Sequence, residues 1–190
     1  MSNLRVISGT ARGRRLKSVP GDITRPITDR VKESLFNILG PDIQDSVVLD
    51  LFAGTGSVGI EALSRGAAHV CFNDRHRMAV KTVKENLEIT GLEAKAEILQ
   101  MDAFTLLERD PDRKYDYIFI APPQYKQIWV KALQFLDRNP GWVGNDAWVI
   151  VQIDPLELEP VTLRTLVEFD RRRYGNTLLC FYSKPDLEDE

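Results

Sequence analysis

Three aspartates each follow an apolar run between residues 47 and 102: Asp50 after Val47-Val48-Leu49, Asp74 after Val70 to Asn73, and Asp102 after Ala96 to Gln100. Each closes a predicted strand, so three carboxylates ring one crevice, at the strand ends where open α/β sheets seat their ligands. Gly54, Gly56 and Gly59 follow the first of them. They let the backbone turn tightly and approach a ligand before a helix that Gly66 can stop. The spacing also satisfies G-x-G-x-x-G, the pattern of dinucleotide-binding turns. A dinucleotide would place its pyrophosphate on the helix N-terminus, where a carboxylate four residues before the first glycine repels it. S-adenosylmethionine has no phosphate and carries an ammonium and a sulfonium, so an acidic strand end before a glycine turn suits it.

Asp74 lies 24 positions after Asp50, close to the roughly 20-residue offset at which a carboxylate accepts ribose hydroxyls in nucleotide-binding units. Asp102 has two readings, an acceptor for an adenine amino group or the N-cap of a helix beginning at Ala103. For the stretch as a whole the alternative is a strand-turn-helix with incidental glycines, and the glycine spacing alone also admits a nucleotide-dependent oxidoreductase.

The elements that must position these residues follow from periodicity. Residues 4–19 hold two short β-like pieces around Gly9 and Gly13, readable as a hairpin, and a helix is predicted from Asp29 to Leu39 with Val31, Leu35, Ile38 and Leu39 on one face. Strand and helix patterns then alternate: a strand over 47–52, strands at 70–72, 96–100, 115–120 and 147–153, and helices near 77–90 and 126–137. That alternation implies a parallel sheet with right-handed crossovers. Val167 to Tyr174 and Thr177 to Ser183, separated by Gly175-Asn176, read as an antiparallel hairpin.

At 190 residues, with 43% hydrophobic and 28% charged side chains, one globular core is the default, and a monomer is expected. No apolar run approaches the roughly 18 residues of a membrane span and the first residues lack a secretory pattern, so a cytoplasmic protein with no membrane partner is expected. Cys71 and Cys180 sit in apolar strand-like surroundings, as buried reduced thiols would. His69 and His76 have no Cys or His at ligand spacing, so no metal site is expected. The net charge of −3 hides an asymmetry: residues 1–32 hold eight basic and two acidic side chains, a balance of +6 that leaves −9 for the other 158. A basic arm on an acidic body is the charge pattern of a module that offers one face to a polyanion.

Several blocks in order, RVISGTARGRRLKS, RPITDRVKESLFNIL (Arg25 to Leu39), VLDLFAGTGSVGIEALSRGA and RRRYGNTLLCFY (Arg171 to Tyr182), make the chain resemble class I S-adenosylmethionine-dependent methyltransferases. Among them it is similar to the RsmD-like 16S ribosomal RNA guanine-N2 methyltransferases, over nearly its whole length. The resemblance implies a Rossmann-like α/β fold, with a mostly parallel seven-stranded sheet, a C-terminal antiparallel hairpin and a small N-terminal β-hairpin appendage. It divides the chain into a basic appendage over 1–22, a methyltransferase domain over 23–185 and an acidic tail over 186–190. It implies that Asp50, Gly54 and Gly56 line the methionine end of S-adenosylmethionine, with Phe52 in the same cofactor-binding set. Asp74 would hold the ribose and Asp102 the adenine. Residues 25–32 would fold over the cofactor. Arg12, Arg14, Arg15, Lys17, Arg25 and Arg30 would grip ribosomal RNA, in a small subunit or an assembly intermediate.

One motif departs from the family. Where it has Asp-Pro-Pro-Tyr after the fourth strand, this chain reads Ala121-Pro122-Pro123-Gln124-Tyr125. The family pattern implies a catalytic set of Pro122, Pro123 and Tyr125, with Tyr125 one position late for the stacking aromatic. Ala121 has no side-chain acceptor, so a cofactor-binding RNA module with lost or altered chemistry stands as the alternative function.

Overall fold

The computed structural model describes residues 4–21, 26–124 and 126–185. Arg25, Tyr125 and the acidic tail at 186–190 lie outside the described residues. Two compact units divide the chain, residues 1–103 and 104–190.

In the first unit, α1 (Asp29–Leu39) starts where Thr28 accepts a hydrogen bond from the Val31 N–H and stops at Gly40. After it come β1 (Val47–Asp50), α2 (Ser57–Ser64), β2 (His69–Asn73), α3 (Arg77–Thr90) and β3 (Ala96–Leu99). The strands lie side by side in the order β3-β2-β1 and run parallel, with Asp50 level with Phe72 and Asn73 level with Leu99. All three therefore end at the same edge. Leu51 and Phe52, expected to extend the first strand, belong instead to the turn.

α1 buries Val31, Lys32, Leu35, Phe36 and Leu39, whereas Ile38, expected on that face, is half-buried. The residues before α1 make the expected hairpin in a narrow form, one antiparallel bridge between Arg5 and Arg15. Backbone bonds from Val6 to the Arg14 carbonyl, from Gly13 to the Val6 carbonyl and from Leu16 to the Leu4 carbonyl close it, and its tip is held to α2, where the N–H groups of Ile7 and Ser8 go to Glu61 and that of Ala11 to Ser64. Gly9 seats this contact, since a Cβ there would lie 1.8 Å from the Ser64 carbonyl oxygen.

α4 (Ala103–Leu107) begins at the boundary between the units. The second unit then carries β4 (Tyr115–Ile120), α5 (Ile128–Arg138), β5 (Val143–Ile153), β6 (Val167–Tyr174) and β7 (Thr177–Ser183). β4 and β5 are parallel, β7 is antiparallel to both β5 and β6, and the order is β4-β5-β7-β6. Trp129, Leu133 and Leu136 of α5 are buried along with Val149 and Val151 of β5. Buried Asp137 accepts the N–H groups of Arg164, Thr165 and Leu166, which fixes the approach to β6. Burial pushes that carboxyl up, but the three backbone donors outweigh it and hold the group below its ordinary range. Parallel strands first and an antiparallel pair last give the mostly parallel, seven-stranded α/β class expected from the sequence. Both cysteines are buried, as expected.

Candidate cofactor crevice and basic arm

The carboxyl edge of β1, β2 and β3 brings together the three aspartates that the sequence singles out. Asp50, on the last residue of β1, is 2% exposed and accepts one hydrogen bond, from the Gly59 N–H at 3.3 Å. Burial with so little compensation, aided by nearby Asp74, pushes its carboxyl up to about 7. The close packing that makes this bond possible needs a glycine, because a Cβ at Gly59 would lie 2.3 Å from the Phe72 ring.

Asp74 is half-buried and already committed. One of its oxygens accepts the Gly54 N–H and the other accepts the His76 N–H, each at 2.9 Å. A carboxylate 20 residues downstream thus pins the first glycine of the turn. Gly54 (φ 55°) and Gly56 (φ 78°) both take the left-handed conformation around it. Phe52 is half-buried in the same turn, and Asp102 is exposed just beyond β3.

Two asparagines that sequence reasoning did not assign hold this edge in place. The Asn73 side chain donates to the carbonyls of Leu51 and Met101, tying the turn after β1 to the chain after β3, and its own carbonyl oxygen is buried with no hydrogen-bond partner. Asn86 donates to the carbonyls of Thr55 and Lys17 and accepts the Lys17 N–H at 2.7 Å. It clamps the arm to the glycine turn. Its signal was available, because position 86 shares the face of α3 that buries Ala79, Val83 and Leu87.

The basic arm divides into exposed and committed charges. Arg12, Arg14, Arg15 and Arg30 are exposed and make no ion pair among the described residues. Lys17 is exposed and pairs with Glu85 at 2.9 Å. Lys32, counted in the basic surplus, is fully buried: its ammonium donates to the Arg5 carbonyl and the Ser57 hydroxyl and sits 3.4 Å from Glu61. Burial lowers its pKa, more than Glu61 raises it. The arm's exposed surface is therefore less basic than a count of its residues implies.

In the second unit, β4 ends at Ile120 and Ala121 to Gln124 follow without regular structure. Ala121 and Pro122 are half-buried, and Pro123 is exposed.

A family model described as "Conserved hypothetical protein 95" matches residues 4–183. YlbH of Bacillus subtilis is 42% identical over 183 residues, covering 95% of this chain and 99% of that protein. The ribosomal RNA small subunit methyltransferase D of Haemophilus influenzae is 35% identical over 153 residues, 80% of this chain and 79% of its own. The solved structure of yhhF from Escherichia coli aligns with a TM-score of 0.82 at 30% identity, covering 95% of this chain and 97% of that one. With the glycine turn, the strand-end aspartates and the arm all inside the matched span, this chain belongs to the conserved hypothetical protein 95 family.

Proposed function

We propose that the protein is an S-adenosylmethionine-dependent methyltransferase acting on ribosomal RNA, and that its target is the exocyclic N2 of a guanine in the small subunit. The observation that carries the cofactor reading is the Asp74–Gly54 hydrogen bond. It occupies the first glycine N–H, which a dinucleotide site would offer to a phosphate, and it leaves carboxylate charge where a pyrophosphate would sit. That disfavours the oxidoreductase reading and suits a cationic, phosphate-free nucleoside. Asn73 adds a buried acceptor without a partner, the kind of group a ligand's donor satisfies.

When bound, the cofactor supplies a methyl group activated on a sulfonium. Asp50 and the Gly54–Gly56 turn would hold its methionine end, with Phe52 in the same set; Asp74 would accept from the ribose and Asp102 from the adenine. The Pro122 carbonyl accepts a hydrogen bond from the target amino group, which aims the nitrogen lone pair. Pro123 holds the turn rigid, and Tyr125 stacks on the base. Arg12, Arg14, Arg15, Lys17, Arg25 and Arg30 bind the phosphate backbone, and residues 1–22 act as an RNA-gripping appendage to a methyltransferase domain over 23–185. The protein works as a monomer in the cytoplasm, on a small subunit or an assembly intermediate.

A second reading rests on Ala121. With no acceptor there, the chain is an RNA-binding module with altered chemistry. Equilibrium titration with S-adenosylhomocysteine and with NAD tests the cofactor. Affinity for the former alone is expected, and affinity for NAD alone contradicts the proposal. Methyl transfer to undermodified small subunits, with the modified nucleoside identified by mass spectrometry, separates the two readings. N2-methylguanosine supports the first, and cofactor binding without transfer supports the second.

A further inference from the structure

A cleft of about 500 Å³ lies between residues 15–20 of the arm and the outer face of α3, and the residues that line it include none of the cofactor set. That volume falls within the usual range for small-ligand sites. Its lining is of two kinds, with apolar surface from Leu16, Pro20 and Met78 and cations from Arg15, Lys17 and Lys81. Met78 is 40% exposed, the only large hydrophobic side chain in the first unit exposed to that degree among the described residues.

The walls are held in place before any ligand arrives. Asn86 fixes the arm by bonding both the N–H and the carbonyl of Lys17. Glu85 holds the two lysines, Lys17 at 2.9 Å through one carboxylate oxygen and Lys81 at 3.9 Å through the other. Arg15 has no such partner among the described residues. An anion entering the cleft therefore meets an uncommitted guanidinium first and competes with Glu85 for the lysines.

We propose that this cleft binds one unstacked nucleotide of the RNA substrate, away from the target base. The base lies against Met78, whose polarizable thioether suits an aromatic face, and its phosphate lies on Arg15 and Lys81. A duplex fits poorly, because a paired, stacked base cannot enter a cleft of this size. An acidic peptide would use the cations but leave the apolar lining uncovered. The inference rests on the RNA reading above and adds to it a site that grips single-stranded RNA.

The test is a single-stranded RNA oligonucleotide carrying one 4-thiouridine, photo-crosslinked to the full-length protein, with crosslinked peptides mapped by mass spectrometry and affinity measured in parallel. Crosslinks are expected within residues 16–20 and 78–85. Met78→Glu is expected to weaken binding about tenfold, the scale of losing a well-packed side chain from an interface. Arg15→Gln is expected to flatten the slope of log affinity against log salt by about 0.7, one phosphate contact on a single strand. Thermal melting and S-adenosylhomocysteine titration check that the variants are folded. Crosslinks confined to other peptides, or wild-type affinity in folded Met78→Glu, overturn the cleft assignment. If the wild type still methylates small subunits in that case, the proposed function stands without the cleft. A wild-type protein that binds neither oligonucleotide nor subunit overturns both.

Discussion

Asp50 carries the sharpest consequence at the scale of single residues. Its carboxyl titrates near 7 in the folded chain, against about 3.8 as its ordinary value. The folded state then holds a proton that the unfolded state has lost, so stability without cofactor falls as pH rises from about 4 to 7 and levels off above. Asp50→Asn should flatten that dependence and raise the melting temperature at pH 8, as differential scanning calorimetry can show. A cation in the crevice favours the charged form, so S-adenosylmethionine affinity should rise from pH 6 to 8 in the wild type and lose that rise in Asp50→Asn. Ala121 makes the second prediction. Removing one preorganised polar partner of a transition state costs about 10²- to 10³-fold in rate. Restoring an acceptor with Ala121→Asp should therefore speed single-turnover methylation on guanine N2 while leaving cofactor affinity unchanged. If the native protein is already fast and the variant slower, the site is built around a different acceptor or substrate atom.

Between elements, the decisive contact is the clamp from α3. Asn86 joins the arm at Lys17 to the glycine turn at Thr55, so Asn86→Ala strands several part-buried backbone groups at once. A loss of about 2 to 4 kcal/mol in stability is expected from urea denaturation, with weaker cofactor binding in the same variant. A variant as stable as wild type that binds cofactor equally well would show that the turn needs no such support. The strands were legible in the sequence because β1, β2, β4 and the Ala147–Ile153 part of β5 are short apolar runs, whereas the polar start of β5 at residues 143–146 was not; the site edge was legible because an aspartate ends or follows each parallel strand of the first unit. What hid was the polar interior. Lys32 falls three, four and seven residues before Leu35, Phe36 and Leu39, on the buried face of α1, but periodicity counts apolar residues and passes over a lysine. Its partner Glu61 lies in α2, 29 positions on, so nothing local announced that the charge would be neutralised. The same blindness hid Asn73 and Asn86, whose hydrogen-bond partners lie far along the chain. The hairpin's anchoring was hidden too, since the Ile7, Ser8 and Ala11 N–H groups at its tip go to side chains of α2.

At the scale of the whole chain, charge and family point the same way. A surplus of +6 over residues 1–32 against −9 elsewhere gives the protein one cationic end. With Lys32 buried, Lys17 paired to Glu85 and Arg5 paired to Asp29, the exposed force among the described residues is carried by Arg12, Arg14, Arg15 and Arg30. Neutralising Arg12, Arg14 and Arg15 together should weaken RNA binding and flatten the slope of log affinity against log salt by up to about two units, at roughly 0.7 to 0.9 per lost phosphate contact. An unchanged slope would mean that the arm is only a solvated surface. Methyl transfer to ribosomal RNA is tested most directly by single-turnover incorporation from labelled S-adenosylmethionine into undermodified small ribosomal subunits, followed by nucleoside analysis. Label is expected in N2-methylguanosine and is expected to be lost in Asp74→Ala. Subunits that stay unlabelled in the presence of folded, cofactor-bound protein would contradict the proposed function.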